Sequence, residues 1–304
     1  FKMHKETHIL TITCPDKTGI AARVFGFIAV QGGFITEAAQ FGDELSRLFF
    51  MRIVFTTRTE NSFRAEFKSA FQAVAAEFDM TWKLHNGDRP ARLLLAVSKE
   101  SHCLNDLLYR YRAGLLNIDV AGVVSNHEDM RDFVEWHKIP YYYFPLPKGS
   151  SFEEKRAQEN KILGLVDELQ IDLVVLARYM QILSDDMCRA LTGHCINIHH
   201  SFLPSFKGAK PYHQAYERGV KLIGATAHYV TADLDEGPII EQAVERVDHT
   251  NTPAQLVAIG KDLENIVLAR AVRYHTERRV LLNGRRTVCL LYTSPSPRDR
   301  QKSR

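Results

Sequence analysis

From Arg92 onward the chain alternates short apolar segments with stretches of helical periodicity, and no other feature restricts the fold as tightly. The apolar segments are Arg92 to Val97, Val120 to Val124, Tyr141 to Phe144 and Leu173 to Ala177, then Cys195 to His199 and Leu222 to Val230. Leu104 to Tyr111, Glu128 to His137 and Phe152 to Leu169 lie between the first of them and read as helices. Strands separated by helices cross over and pair in parallel, in an α/β sheet covered on both faces. Ligands of such sheets collect at the carboxyl ends of the strands. The last long helix, Ala254 to Tyr274, carries Leu256, Ile259, Leu263, Ile266 and Val267 at helical spacing, a core-facing stripe. Val280 to Val288, turning at Asn283-Gly284, reads as a terminal hairpin.

The N-terminal part follows a different plan. Thr7 to Thr13 alternates like a strand, Cys14 to Gly19 turns into a helix from Ile20 to about Gln31, and Gly32-Gly33 ends it. Phe34 to Phe41 and Leu48 to Phe55 are strands around Gly42-Asp43. Phe63, Phe67, Phe71, Val74 and Phe78 then recur at helical spacing behind a cap at Asn61 or Ser62, and Met80 to Leu84 is the closing strand. The order is βαββαβ, a ferredoxin-like plan. The polar run His85 to Pro90 divides the chain into domains at 1–86 and 92–288, with a linker at 87–91.

Chemistry concentrates between Cys195 and Ile240. Alternate residues of a strand share a face, so Asn197 and His199 point together. His200, of opposite parity, is expected to face away if the strand persists that far, which argues against the adjacent histidines ligating one metal. The polar turn Thr231 to Pro238 is placed to bring Asp235 back over the first strand's end. An amide, an imidazole and a carboxylate suit addition to a carbonyl followed by loss of an amine. The amide stabilises the tetrahedral oxyanion, the His helps to stabilise that oxygen or moves a proton, and the Asp orients a water and takes its proton. His228, of the same parity as Thr226 and Val230, is expected to buttress Asp235 or His199. His194, His213 and His249 read as surface or core histidines. A zinc set of His199, His228 and Asp235 has no supporting HExxH or CxxC spacing. Ser201 lacks a GxSxG elbow and is not read as a nucleophile.

The segments INIHHSFLPSFKGAKPYHQAYERG, IGATAHYV and LDEGPII resemble the catalytic core of the formyltetrahydrofolate-dependent formyltransferase and hydrolase superfamily, and most closely its deformylase branch. The resemblance runs from Thr7 to about Thr287. It implies a Rossmann-like formyltransferase domain, with Asn197, His199 and Asp235 catalytic. It implies that Met180, Gln181 and Leu183, within VVLARYMQIL, line a folate pocket that Ala232, Asp233, Leu234 and Asp235 close. Arg178 in the same segment has no role on this reading, and Lys207 and Lys210 read as solvated charges. The βαββαβ part, with CPDKTGI at its first turn, resembles an ACT domain. That implies oligomerisation between copies and an amino-acid effector, with Asp16, Gly19, Gly32 and Gly33 the first place to look.

The activity implied is hydrolysis of 10-formyltetrahydrofolate by water to formate and tetrahydrofolate. Formate would feed purine synthesis, and folate, as substrate, leaves no need for a separate cofactor or a metal. The alternatives are formyl transfer to an amine, and a folate-responsive regulator without turnover. Glycinamide ribonucleotide transformylases, relatives by the same resemblance, hold the acceptor's phosphate on a glycine-rich loop after the domain's first strand. Here that loop is Ser98-Lys99-Glu100-Ser101-His102-Cys103-Leu104, without glycine, which favours water as acceptor.

Composition agrees with a soluble enzyme: 45% hydrophobic and 25% charged residues. No apolar run reaches the roughly 20 residues that cross a bilayer, and the start, FKMHKETH, has no signal-peptide pattern, so a cytoplasmic location is expected. The excess of 39 Lys and Arg over 36 Asp and Glu comes from the last thirteen residues, which hold four of the former and one of the latter. The rest is balanced, which argues against a nucleic-acid partner. Five irregularly spaced cysteines fit reduced thiols. Residues 289–304, rich in Pro, Ser and Arg, read as a non-native or disordered tail.

Overall fold

A computed structural model describes residues 5–58, 63–204 and 211–291. Asn61, Ser62, Lys207, Lys210 and residues 292–304 lie outside them. The described residues form two compact units, one made of those up to 89 with 277–283 and 288–291, the other of those within 90–276 with 284–287.

The first unit contains β1 (Lys5–Pro15), α1 (Ile20–Val30), β2 (Phe34–Asp43), β3 (Leu48–Arg58), α2 (Phe63–Glu77) and β4 (Thr81–Asn86). Its antiparallel sheet has the order β2-β3-β1-β4. Every second residue of β3, from Phe49 through Met51 and Ile53 to Phe55, enters the core, as the two-residue period of a strand requires. Phe63, Phe67, Phe71 and Val74 present the matching stripe of α2. Phe67 stacks on Phe55 and Phe71, with ring centroids 5.5 and 5.6 Å away.

Glu277–Asn283 packs with this unit because the buried guanidinium of Arg279 donates to Glu37 over 2.8 Å. Glu37 also receives Arg52 at 2.7 Å, and Asn283 donates to Asp43 at 2.8 Å. The stretch expected to form one domain, 92–288, thus includes a segment whose polar contacts are with the first unit.

The second unit begins with β5 (Ala91–Val97), α3 (His102–Arg112), β6 (Ile118–Ser125), α4 (Arg131–Trp136) and β7 (Tyr141–Tyr143). It continues through α5 (Phe152–Glu168), β8 (Leu173–Leu176), α6 (Asp185–Ala190), β9 (Cys195–His199), α7 (Pro211–Glu217), β10 (Leu222–Tyr229), β11 (Ile239–Arg246) and α8 (Pro253–Thr276). A hairpin of β12 (Val280–Asn283) and β13 (Arg286–Cys289) follows. The sheet order is β11-β10-β9-β8-β5-β6-β7. Neighbours from β5 to β9 are parallel, and β10 is antiparallel to both β9 and β11.

After β5 the chain winds first towards β7 and then back to β8 on the other side, so a crevice opens between the carboxyl ends of β5 and β8. Val97, Leu176 and His199 end the three strands at that crevice. Local signals set some helix starts: Ser151 accepts from Glu154 N, and the Glu154 carboxylate accepts from Ser151 N, a reciprocal cap on α5. Periodicity alone did not predict α6, α7 or β11, which are short or amphipathic without a clean stripe. Ile266, expected in the core stripe of α8, is exposed, whereas Gly260 and Glu264 are buried there. No helix among the described residues is long and apolar enough to cross a membrane.

Phe67→Ala removes a fully buried ring from the first unit. It is expected to cost about 3–5 kcal/mol, read as a lowered denaturant midpoint; a change below about 1 kcal/mol would contradict this packing.

Candidate active site

The antiparallel register of β9 and β10 sets His228 opposite Asn197 and Thr226 opposite His199. The chain then leaves β10 and returns through Thr231–Pro238. Tyr229 N donates to Pro238 O at 2.9 Å, and a Cβ at Gly237 would meet the Tyr229 carbonyl oxygen at 1.7 Å. Only glycine permits that approach. The return holds Asp235 at φ 57°, in the left-handed region, with its Oδ1 3.3 Å from His199 Nδ1 and 3.7 Å from His228 Nε2.

Proton positions follow from the partners. His228 Nδ1 is 2.9 Å from its neighbour's carbonyl, Tyr229 O, so it carries the hydrogen and Nε2 is left to accept. Asn197 Nδ2 donates to that Nε2 over 3.3 Å, which fixes the orientation of the amide. His199 gives its Nδ1 hydrogen to Asp235, leaving Nε2 buried without a partner among the described residues. Hydrogen bonding from His199 holds the Asp235 carboxyl well below the usual carboxylate range. The His199 contact is the principal cause, since 3.7 Å is beyond hydrogen-bond reach.

These groups line a cavity of about 660 Å³. Met180, Gln181, Leu183, Ala232 and Leu234 line it too. Asp233 does not; its carbonyl accepts from Thr231 Oγ1 at 3.0 Å and Glu236 N at 3.2 Å within the turn. The exposed side chains of Met180, Ile182 and Leu234 form an apolar rim, the usual surface for a flat apolar ligand. Met180 is positioned by Ser98, whose hydroxyl accepts from Met180 N at 2.9 Å and donates to Asn126 at 2.7 Å.

One expectation turns on where β9 ends. His200 does not face away: β9 ends at His199, and the His200 ring stacks on His199 with centroids 4.8 Å apart and lines the cavity. His213 also lines it. Sequence reasoning missed the polar wall as well. Glu264, buried on α8, accepts from His102 Nε2 at 2.6 Å and Tyr212 Oη at 2.8 Å, with Arg178 Nε at 3.6 Å. Burial pushes its pKa up, but His102 and Arg178 outweigh that and hold it down. Gly260, one turn earlier, makes room for Tyr212, whose Cζ lies 2.0 Å from where a Cβ would be. An acid within an apolar helical stripe, four residues after a glycine, was the available signal.

His102, Cys103 and Glu264 bring ligand atoms within 4.8 Å of one another. The Glu264 carboxylate already accepts from two donors and has the Arg178 guanidinium 3.6 Å away, which opposes a cation there. In the first unit, Asp16 and Gly19 lie before α1 and Gly32 and Gly33 after it, about 16 Å apart along an 11-residue helix, so one copy does not gather all four.

Residues 91–272 match the formyl transferase family. The chain is 50% identical to a formyltetrahydrofolate deformylase of Corynebacterium sp. (strain P-1), over 93% of this chain and 98% of that protein. It is 47% identical to the crystal structure of a formyltetrahydrofolate deformylase from Burkholderia mallei, with a TM-score of 0.87, covering 94% of this chain and all of that one. Glycinamide ribonucleotide transformylase 1 from Symbiobacterium toebii is 30% identical with a TM-score of 0.62, covering 68% of this chain and 98% of that one.

Because the folded Asp235 carboxyl titrates below its usual value near 3.8, its contribution to stability is complete above that pH and lost as pH falls below it. The stability deficit of Asp235→Asn is therefore expected to narrow between about pH 5 and about pH 3 in denaturant titrations. A deficit independent of pH would contradict the pairing with His199.

Proposed function

The chain belongs to the formyltetrahydrofolate deformylases of the formyl transferase family, and on that premise we propose that Asn197, His199 and Asp235 carry its hydrolysis of 10-formyltetrahydrofolate. The observation that carries this assignment is the His199–Asp235 contact, which leaves His199 Nε2 buried in a cavity wall and without a partner among the described residues.

The pterin and its aryl group occupy the apolar rim, which brings the formyl group between Asn197 and His199. Water attacks the formyl carbon while its proton passes to His199 Nε2. Asp235 stabilises the imidazolium so formed, and the second hydrogen of Asn197 Nδ2 donates to the formyl oxygen as it becomes negative. Collapse of the intermediate breaks the bond from carbon to the folate nitrogen, which takes its proton from His199. The products are tetrahydrofolate and formic acid, which ionises to formate.

Water as acceptor is supported by the loop after β5. Its Ser98 holds Met180 and Asn126, its Glu100 pairs with Lys261 at 2.8 Å, and His102 at its end is bound to Glu264. Those side chains occupy a loop whose backbone would otherwise be open to a phosphate. The formate released is assigned to purine synthesis, and the enzyme to the cytoplasm. We also infer that the βαββαβ unit joins copies of the chain and takes an amino-acid effector; a monomer in sedimentation that no amino acid affects would contradict this.

Purified protein is expected to release formate from 10-formyltetrahydrofolate over many turnovers with no amine present. Asn197→Ala should lower kcat about 10²–10³-fold with little change in KM, as for loss of one oxyanion donor. Formyl transfer that begins only when an amine such as glycinamide ribonucleotide is added would overturn the reading.

A further inference from the structure

His200 lines the cavity beside the trio, and Arg178 dictates where its proton sits. Arg178 Nη1 lies 2.9 Å from His200 Nδ1. A guanidinium only donates, so Nδ1 accepts and the hydrogen of the neutral ring sits on Nε2. Arg178 is itself held with its Nε 3.6 Å from Glu264, in a backbone conformation, φ 66°, that few non-glycine residues adopt. His200 Nε2 is buried and has no partner among the described residues, although its ring lines the cavity. A buried donor with no protein acceptor calls for one from a ligand.

We propose that His200 is a further catalytic residue of this site, its Nε2 hydrogen donating to the formyl oxygen as the tetrahedral intermediate forms. The inference rests on the deformylase reading and divides the labour within it. His200 has no free lone pair, so it cannot take a proton from water; it can only donate. Its neighbour His199 has the opposite arrangement, with Nδ1 donating to Asp235 and Nε2 able to accept. Two stacked imidazoles thus present complementary functions to one cavity, a base and an electrophile. Burial, then the charge of Arg178, lowers the pKa of His200 to about 4, so it stays neutral at neutral pH. A neutral imidazole acting as electrophile at a developing oxyanion is established enzyme chemistry.

The test compares formate release by wild type, His200→Phe and His200→Gln in the full-length protein. His200→Phe keeps a stacked ring and removes the donor, so kcat should fall about 10²–10³-fold while KM for 10-formyltetrahydrofolate changes less than about threefold. His200→Gln restores an N–H and should recover about tenfold of that loss. A His200→Phe enzyme with wild-type kcat overturns the proposal but leaves the deformylase reading intact, whereas wild-type protein releasing no formate overturns that reading. Nitrogen-15 spectra of the wild-type imidazoles decide the matter if the variants do not fold. The Nε2-protonated neutral form of His200 near pH 7 supports the proposal, and an imidazolium or an Nδ1-protonated ring refutes it.

Discussion

Asp235 reaches His199 only because the chain folds back on itself after β10, against the carbonyl of Tyr229, at a point where any side chain would collide. That return puts a carboxylate from one loop onto an imidazole at the end of another strand. The remainder of the site follows from it. With the His199 Nδ1 hydrogen committed to Asp235, Nε2 is the atom available for chemistry; with His228 committed to Tyr229 O, Asn197 has a defined orientation. The geometry is set by backbone register and one glycine, and the electrostatics by the proton positions that result.

Behind the trio stands a second layer built around a buried acid. Glu264 is nearly without solvent contact, and a lone carboxylate there would be strongly unfavourable. His102 and Tyr212 donate to it from α3 and α7, and the charge of Arg178, in the turn after β8, lies 3.6 Å away. The network ties those elements to α8 and carries, through Arg178, to His200 and its stacked neighbour. The side chains that fill the loop after β5 are members of it.

Much of this was legible in the residues. The alternation of apolar strands and helices led to the α/β plan, and the Phe63, Phe67 and Phe71 spacing to α2, because both rest on local periodicity. Asn197 and His199 follow from strand parity, and Asp235 from a polar turn with glycine and proline. What was hidden depends on tertiary register or on where a strand stops. His228 lies beside Asn197 because β9 and β10 are antiparallel, which parity within one strand does not reveal. His200 turns inward because β9 ends one residue earlier. Glu264 and Arg178 meet from positions far apart in sequence. Arg279 returning to Glu37 is equally non-local, and no pattern near residue 279 announces it.

The most direct measurement is turnover of 10-formyltetrahydrofolate in water enriched in oxygen-18, with mass analysis of the formate. If water attacks the formyl carbon with Asn197, His199 and Asp235 in the roles assigned, each formate formed in one turnover carries one oxygen from solvent and one from the formyl group. Formate without solvent oxygen, or a formyl group recovered on nitrogen instead, would contradict the account.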